Sequence, residues 1–239
     1  MLKPLQAVTG IVERRHTLPI LSNVLLENVH GQTNILATDL EIQINTAGPE
    51  SDAGDFRITT NAKKLQDILR ALPDGSLVAL DWAQNRLTLK AGKSRFNLQT
   101  LPAEDFPLMS VGETVGQAFS LPQEALKNML SQVQYSMAVQ DIRYYLNGML
   151  MQTEGDQLRL VATDGHRLAY SGTTIDADLP KAEVILPRKT VLELFKLLNH
   201  PSEPVTVELL ENQVRFRCNE TVIVSKVVDG KFPDFNRVI

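Results

Sequence analysis

The sequence predicts an α+β protein made of two copies of one domain, each with two helices packed on antiparallel sheets. Three observations lead there. The run Leu36-Ala37-Thr38-Asp39 recurs as Val161-Ala162-Thr163-Asp164, 125 positions later and again between apolar stretches. Three more landmarks recur in the same order. Asn23-Val24-Leu25-Leu26 matches Asn147-Gly148-Met149-Leu150 at spacing 124, Ala62-Lys63-Lys64 matches Pro187-Arg188-Lys189 at 125, and Asp105-Phe106-Pro107 matches Lys231-Phe232-Pro233 at 126. Landmarks at a near-constant spacing indicate internal duplication, and a period this long is a domain with its own core rather than a solenoid unit. Finally, both copies read helix, strands, helix, strands.

The boundary falls in the Gly-containing polar stretch around Met109-Ser110-Val111-Gly112, so the expected domains are 1–112 and 113–239. In the first copy a helix over 2–15 carries Leu5 and Val8. Strands follow at 23–29, 33–37 and 41–47. A second helix carries Leu65, Ile68, Leu69 and Leu72 and stops at Pro73-Asp74-Gly75, and strands at 76–81, 86–90 and 94–100 close the copy. In the second copy Ser120 can cap a helix, with Pro122 in its first turn and Gln123 at the capping-box position. Leu126, Met129, Leu130 and Val133 then form an amphipathic stripe. Strands are expected at 144–153, 157–163 and 167–173. The next helix runs from Pro187 through Val191, Leu194, Phe195 and Leu198, and Asn199-His200-Pro201 stops it. Strands at 205–210, 213–218 and 221–227 complete the copy. The lead-in 117–124 has no counterpart before Leu5, so the first copy is expected to lack its opening strand and first helical turn.

Composition narrows the function. A chain of 239 residues, 43% hydrophobic and 22% charged, has the balance of a globular protein. Its apolar runs fall short of the roughly 18 residues that span a bilayer, and residues 1–6 lack a secretory signal's apolar core. The one cysteine, Cys218, permits no internal disulfide, which favours a reducing cytoplasm. No catalytic constellation stands out. His16, His30, His166 and His200 are scattered and none has metal-ligand spacing. Gly92-Lys93-Ser94 resembles the end of a phosphate loop, but Leu87 stands where the loop needs glycine and a strand follows. Asp39 and Asp164 hold equivalent corners and read as turn-formers rather than as a catalytic pair. No enzyme activity, cofactor or metal is expected.

Charge is distributed unevenly. The net charge is −4, yet the four expected helices (2–15, 61–72, 122–137 and 187–199) hold ten basic and four acidic residues. They carry +6, and the rest of the chain −10. Basic helices gathered on one face suit a polyanion, because phosphate contacts give affinity without reading sequence. No stacking platform or recognition helix suggests base readout.

The most distinctive stretch is 160–170. An apolar strand enters Thr163-Asp164, and Gly165 accepts the positive φ of a tight turn. His166 and Arg167 then stand where a plain hairpin tip needs no such side chains. The corresponding corner of the first copy reads Leu40-Glu41.

Four motifs carry a resemblance to a known family. They are Thr17-Leu18-Pro19-Ile20-Leu21-Ser22-Asn23, Gln140-Asp141-Ile142-Arg143-Tyr144-Tyr145-Leu146-Asn147-Gly148, Ala162-Thr163-Asp164-Gly165-His166-Arg167-Leu168-Ala169, and Asp229-Gly230-Lys231-Phe232-Pro233-Asp234-Phe235. Together the sequence resembles the bacterial sliding clamp, the β subunit of the replicative DNA polymerase. The resemblance implies repeated DNA-clamp domains, three per subunit, in a head-to-tail homodimeric ring with helices lining a basic hole. It implies a non-catalytic processivity factor that encircles duplex DNA. The implied partners are the replicative polymerase, the clamp loader, other polymerases and repair factors, which bind through short hydrophobic peptides. Carried over by motif, Arg15, Lys64, Gln140, Tyr144, Tyr145, Arg188 and Lys189 would face DNA. Leu146, Thr163, Gly165, His166, Arg167, Leu168, Pro233, Arg237 and Val238 would form one wall of the peptide pocket. The third domain has no counterpart before Ile239, so the expected pocket is half built and the chain alone should not close a ring. The alternative reading is a peptide-binding adaptor whose DNA contact is incidental.

Overall fold

A computed structural model describes residues 1–13, 17–52, 54–83, 85–112 and 115–239. The chain divides into two compact units, Met1–Ser110 and Val111–Ile239.

In the first unit α1 (Leu2–Thr9) buries Leu5 and Val8. It is shorter than the helix expected over 2–15. Gly10 follows Thr9, then the β-branched Ile11 and Val12, which form helix less readily than alanine or leucine. Four strands come next: β1 (Asn23–Val29), β2 (Gln32–Thr38), β3 (Ile42–Ala47) and β4 (Phe56–Asn61). Helix α2 (Ala62–Ala71) and strands β5 (Ala79–Ala83), β6 (Arg86–Ala91) and β7 (Ser94–Leu101) finish the unit. The sheet order is β5-β6-β7-β4-β1-β2-β3 with antiparallel neighbours. The β1–β2 hairpin turns at His30 and Gly31, both with positive φ, the backbone of a type I′ turn. The side chain of Asn61 caps α2 by accepting the Lys64 N–H at 2.9 Å.

Strand β4 was not expected from the sequence. Its buried residues are Ile58, Thr59 and Thr60, so two of three are polar and the apolar alternation is hidden. Thr59 is tolerated because its hydroxyl donates to the Leu101 carbonyl at 2.8 Å and accepts the Leu101 N–H and the Asn23 amide.

The second unit opens with β8 (Gln117–Pro122) and α3 (Gln123–Val133), whose buried face holds Leu126, Met129, Leu130 and Val133. Ser120 lies in the strand, not at the helix cap, and its hydroxyl meets that of Thr206 at 2.9 Å. The first turn of α3 is satisfied instead by backbone: Gln123 and Glu124 donate to the carbonyls of Glu203 and Pro201. A long antiparallel ribbon follows, β9 (Gly148–Thr163) with β10 (Leu168–Pro187). Three shorter strands had been expected over this region. Glu154-Gly155-Asp156 reads as a turn, but Gly155, at φ +60, lies within the strand, and the register shifts beside Leu179. Residues 144–147 form a helical turn rather than the start of a strand. Helix α4 (Arg188–Leu197) and strands β11 (Pro204–Leu209), β12 (Gln213–Cys218) and β13 (Thr221–Lys226) complete the unit, with order β8-β11-β12-β13.

No described helix is long and apolar enough to cross a membrane. Among the described residues, no group of three or more His, Cys, Asp or Glu could hold a metal.

Candidate functional site

The site is built on the corner between β9 and β10. Thr163 donates its hydroxyl to the Arg167 carbonyl at 2.7 Å and accepts the Gly165 N–H at 3.0 Å. Asp164 Oδ1 accepts the N–H groups of His166 and Arg167 at 2.9 and 3.0 Å. The corner of the first unit repeats this bond for bond. Thr38 donates to the Ile42 carbonyl and accepts Leu40 N–H, while Asp39 Oδ1 accepts Glu41 and Ile42 N–H. The Asp is therefore spent on shaping the turn. Those two backbone N–H groups, aided by the Arg167 side chain, hold the Asp164 carboxyl below its usual range.

What differs is the surface each corner presents. Gly165 sits at φ +90 where the first unit strains Leu40 at φ +78. Gly165, His166 and Arg167 are exposed, and Leu168 is half-buried. Leu168 packs with Tyr145 and Val228 on a buried cluster of Leu150, Val161, Ile185, Phe232 and Phe235. That cluster is the apolar floor next to the corner. Leu146 is only 2% exposed, so it belongs to the core under the corner rather than to an open wall. Pro233, Arg237 and Val238 are exposed on the closing turn, where Arg237 donates to Asp234 at 3.0 Å and holds that carboxyl below its usual range.

The segment after α3 wraps the corner from two sides. Arg143 donates to the Asp164 carbonyl at 3.3 Å, and its guanidinium covers Gly165. Asp141 holds Arg143 with both carboxylate oxygens, at 3.1 and 2.9 Å, and its own pKa falls to about 2, mainly through that side-chain bond and the Arg143 backbone N–H. Asn147 fixes Asp141 in turn by bonding its backbone N–H and carbonyl. From the other side, the Arg167 guanidinium lies over the Tyr135 ring at 5.5 Å. Sequence reasoning had not marked Asp141, Arg143 or Tyr135 as site residues. Asp141 and Arg143 lie inside the 140–148 motif, while Tyr135 sits just past the end of α3 with no local signal.

The residues expected to face DNA are spread more widely. Gln140, at φ +56, and Tyr144 are exposed on the wrapping segment. Tyr145 packs edge-on to Tyr144, with ring centres 5.9 Å apart, and also on the apolar floor. Arg188 begins α4 and reaches the Met137 carbonyl at 3.4 Å, and Lys189 follows it. Lys64 lies in the first unit, on the first turn of α2, lining a cleft of about 420 Å³ with Thr9, Val12, Asn61 and Lys63. Arg15 lies outside the described residues.

The described helices carry fewer available cations than the sequence suggests. Lys127 spends its ammonium on the Leu198 carbonyl at 2.8 Å, at the end of α4, and lies over the Phe195 ring. Lys196 pairs with Glu193 at 2.7 Å, and Lys63 and Arg70 flank Asp67.

Comparison with known proteins follows the same two-unit division. The family described as "DNA polymerase III beta subunit, N-terminal domain" matches residues 1–110, and "DNA polymerase III beta subunit, central domain" matches residues 120–234. The chain belongs to the bacterial sliding-clamp family. It is 44% identical over 240 residues to the beta sliding clamp of Salmonella typhimurium and 43% identical to that of Escherichia coli K12, covering all of this chain and 65% of each relative. A crystal structure of DNA polymerase III subunit beta from Pseudomonas aeruginosa has a TM-score of 0.95 at 44% identity, and a Caulobacter crescentus sliding clamp has 0.93 at 38%. Both cover the whole of this chain and 65% of theirs. The chain thus spans about 65% of the length of the sliding clamps it matches.

Proposed function

We propose that the chain is the two-domain part, 1–112 and 113–239, of a sliding clamp. The whole protein then encircles duplex DNA as a head-to-tail homodimer and keeps the replicative polymerase on its template. It acts by topology and weak phosphate contacts, without catalysis, a cofactor or a metal, in the cytoplasm. Arg15, Lys64, Gln140, Tyr144, Tyr145, Arg188 and Lys189 are its DNA-facing residues. Thr163, Gly165, His166, Arg167, Leu168, Pro233, Arg237 and Val238 form one side of the peptide site through which the polymerase, the clamp loader and repair factors are tethered, with the buried Leu146 supporting it from the core.

The observation that carries this reading is the difference between the two corners. The same five-residue turn is built twice, each time next to a small buried apolar cluster, but only the second presents Gly-His-Arg there. A glycine lets a peptide backbone approach, and a desolvated apolar centre with a polar rim supplies most of the energy of such contacts. The Pseudomonas aeruginosa clamp has been crystallised bound to griselimycin, and the Caulobacter crescentus clamp with polyethylene glycol in a putative motif-tethering region. Both support a ligand-accepting surface in the family.

The test is titration of a labelled Gln-Ala-Ala-Leu-Phe peptide against this chain and against a chain extended to the relatives' full length. The longer chain is expected to bind more tightly, because it supplies the other side of the site. Equal affinity contradicts the half-built pocket, and absence of binding in both contradicts the tethering role.

A further inference from the structure

We infer that Tyr135 is a positioning residue of the peptide site, which sets the orientation of Arg167 for an acceptor group on the bound peptide. The inference rests on the peptide-tethering reading of the corner.

Arg167 is exposed, yet it is held at three points. Its Nε donates to Asp164 Oδ2 at 3.1 Å. Its Nη2 donates to the Tyr135 backbone carbonyl at 2.8 Å. Its guanidinium carbon stands 5.5 Å from the centre of the Tyr135 ring. A long cationic side chain at a solvated hairpin tip ordinarily samples many rotamers, and fixing it costs entropy. Here the cost is met within the free chain, because two hydrogen bonds hold the guanidinium and it lies over an aromatic ring. The two bonds use two of the five N–H donors of an arginine. The other three, including both on Nη1, have no partner among the described residues. They belong to a side chain that remains 57% exposed at the rim of the apolar floor. The ligand chemistry that fits is a carbonyl or carboxylate oxygen of a short extended peptide, which a preorganised arginine meets with little further loss of freedom.

Tyr135 is itself 57% exposed and is the middle residue of the helical turn Gln134–Ser136 after α3. Little core packing depends on its ring, so its replacement separates positioning from folding. The neighbouring bond from Ser171 to Gln132 at 2.7 Å ties β10 to α3 independently and remains in place.

The experiment is a double-mutant cycle on the 239-residue chain, read by anisotropy of a fluorescein-labelled Gln-Ala-Ala-Leu-Phe peptide. Tyr135→Leu is expected to weaken binding roughly two- to fivefold, the size of an exposed cation–ring contact. Tyr135→Phe keeps the ring and is expected to bind as the unsubstituted chain does. In the background of Arg167→Ala, Tyr135→Leu is expected to cause no further loss. The Arg167 Nε–H resonance, which senses the ring current, should move in Tyr135→Leu and stay in Tyr135→Phe. If Arg167→Ala weakens binding but Tyr135→Leu does not, the positioning role is overturned while the peptide site stands. The same holds if the two losses simply add. If neither the 239-residue chain nor the chain extended to the relatives' full length binds the peptide, or Arg167→Ala changes nothing in the one that binds, the peptide-site reading fails and the positioning role fails with it.

Discussion

The guanidinium of Arg143 lies directly over Gly165. Both terminal nitrogens are 3.1 Å from the point a Cβ on Gly165 would occupy. Gly165 also sits at φ +90, where a side chain is strained in any surroundings. Gly165→Ala is therefore expected to displace Arg143 from the Asp164 carbonyl and to lower the stability of the second unit by about 1–2 kcal/mol. Thermal unfolding with and without Arg143→Ala checks this. The backbone strain should persist in the double variant and the clash should vanish.

Acid should loosen this region at a predictable point. Asp141 titrates at about 2 because Arg143 donates to it, and Asp164 and Asp234 are also lowered by hydrogen bonds from their neighbours. A carboxyl with a depressed folded pKa adds stability above its unfolded value of about 3.9 and loses it as pH falls through the folded one. The unfolding midpoint of the second unit is expected to be level with respect to these groups from about pH 5 to 8 and to fall between about pH 4 and 2. Asp141→Asn should remove part of that fall. A midpoint that drops between pH 7 and 5 would point to other groups.

The basic residues should divide into two kinds. Lys127→Met removes the cation that caps α4 and lies over Phe195, so it is expected to cost about 1 kcal/mol of stability. It should leave the salt dependence of DNA binding unchanged. Lys64 and Lys189, at the starts of α2 and α4, should behave the opposite way.

Cys218 is 3% exposed, and burial pushes its thiol up to about 12. The folded chain is expected to resist a thiol reagent at pH 8 and to react with one equivalent when unfolded. Rapid labelling of the folded chain would contradict the packing of β12.

How much of this was legible in the sequence depends on where the signal lay. The repeated Thr-Asp corner was legible because a turn held by side-chain bonds needs those residue types at fixed offsets, and Thr38-Asp39 and Thr163-Asp164 both supply them. Strand β4 was not, because its buried face is threonine satisfied by a distant strand. The continuity of β9 through Gly155 was hidden because a glycine bulge and a turn look alike in sequence. Arg143 and Tyr135 were passed over for a related reason. Their partners, Asp164 and Arg167, are 21 and 32 positions away, and no local pattern marks a contact across that distance. The charge of the helices was readable, but not that Lys127 and Lys196 are already engaged.

The proposed function has the chain hold duplex DNA through phosphates without reading sequence. Its most direct test is a salt titration of binding to two unrelated duplexes of about 30 base pairs, with the unsubstituted chain and with Lys64→Glu plus Lys189→Glu. Equal affinity for both duplexes is expected, falling log-linearly with salt. The double charge reversal should weaken binding and reduce the slope by about 2, close to one per lost phosphate contact. A marked preference for one duplex, or an affinity at low salt that the reversal leaves unchanged, would contradict the claim.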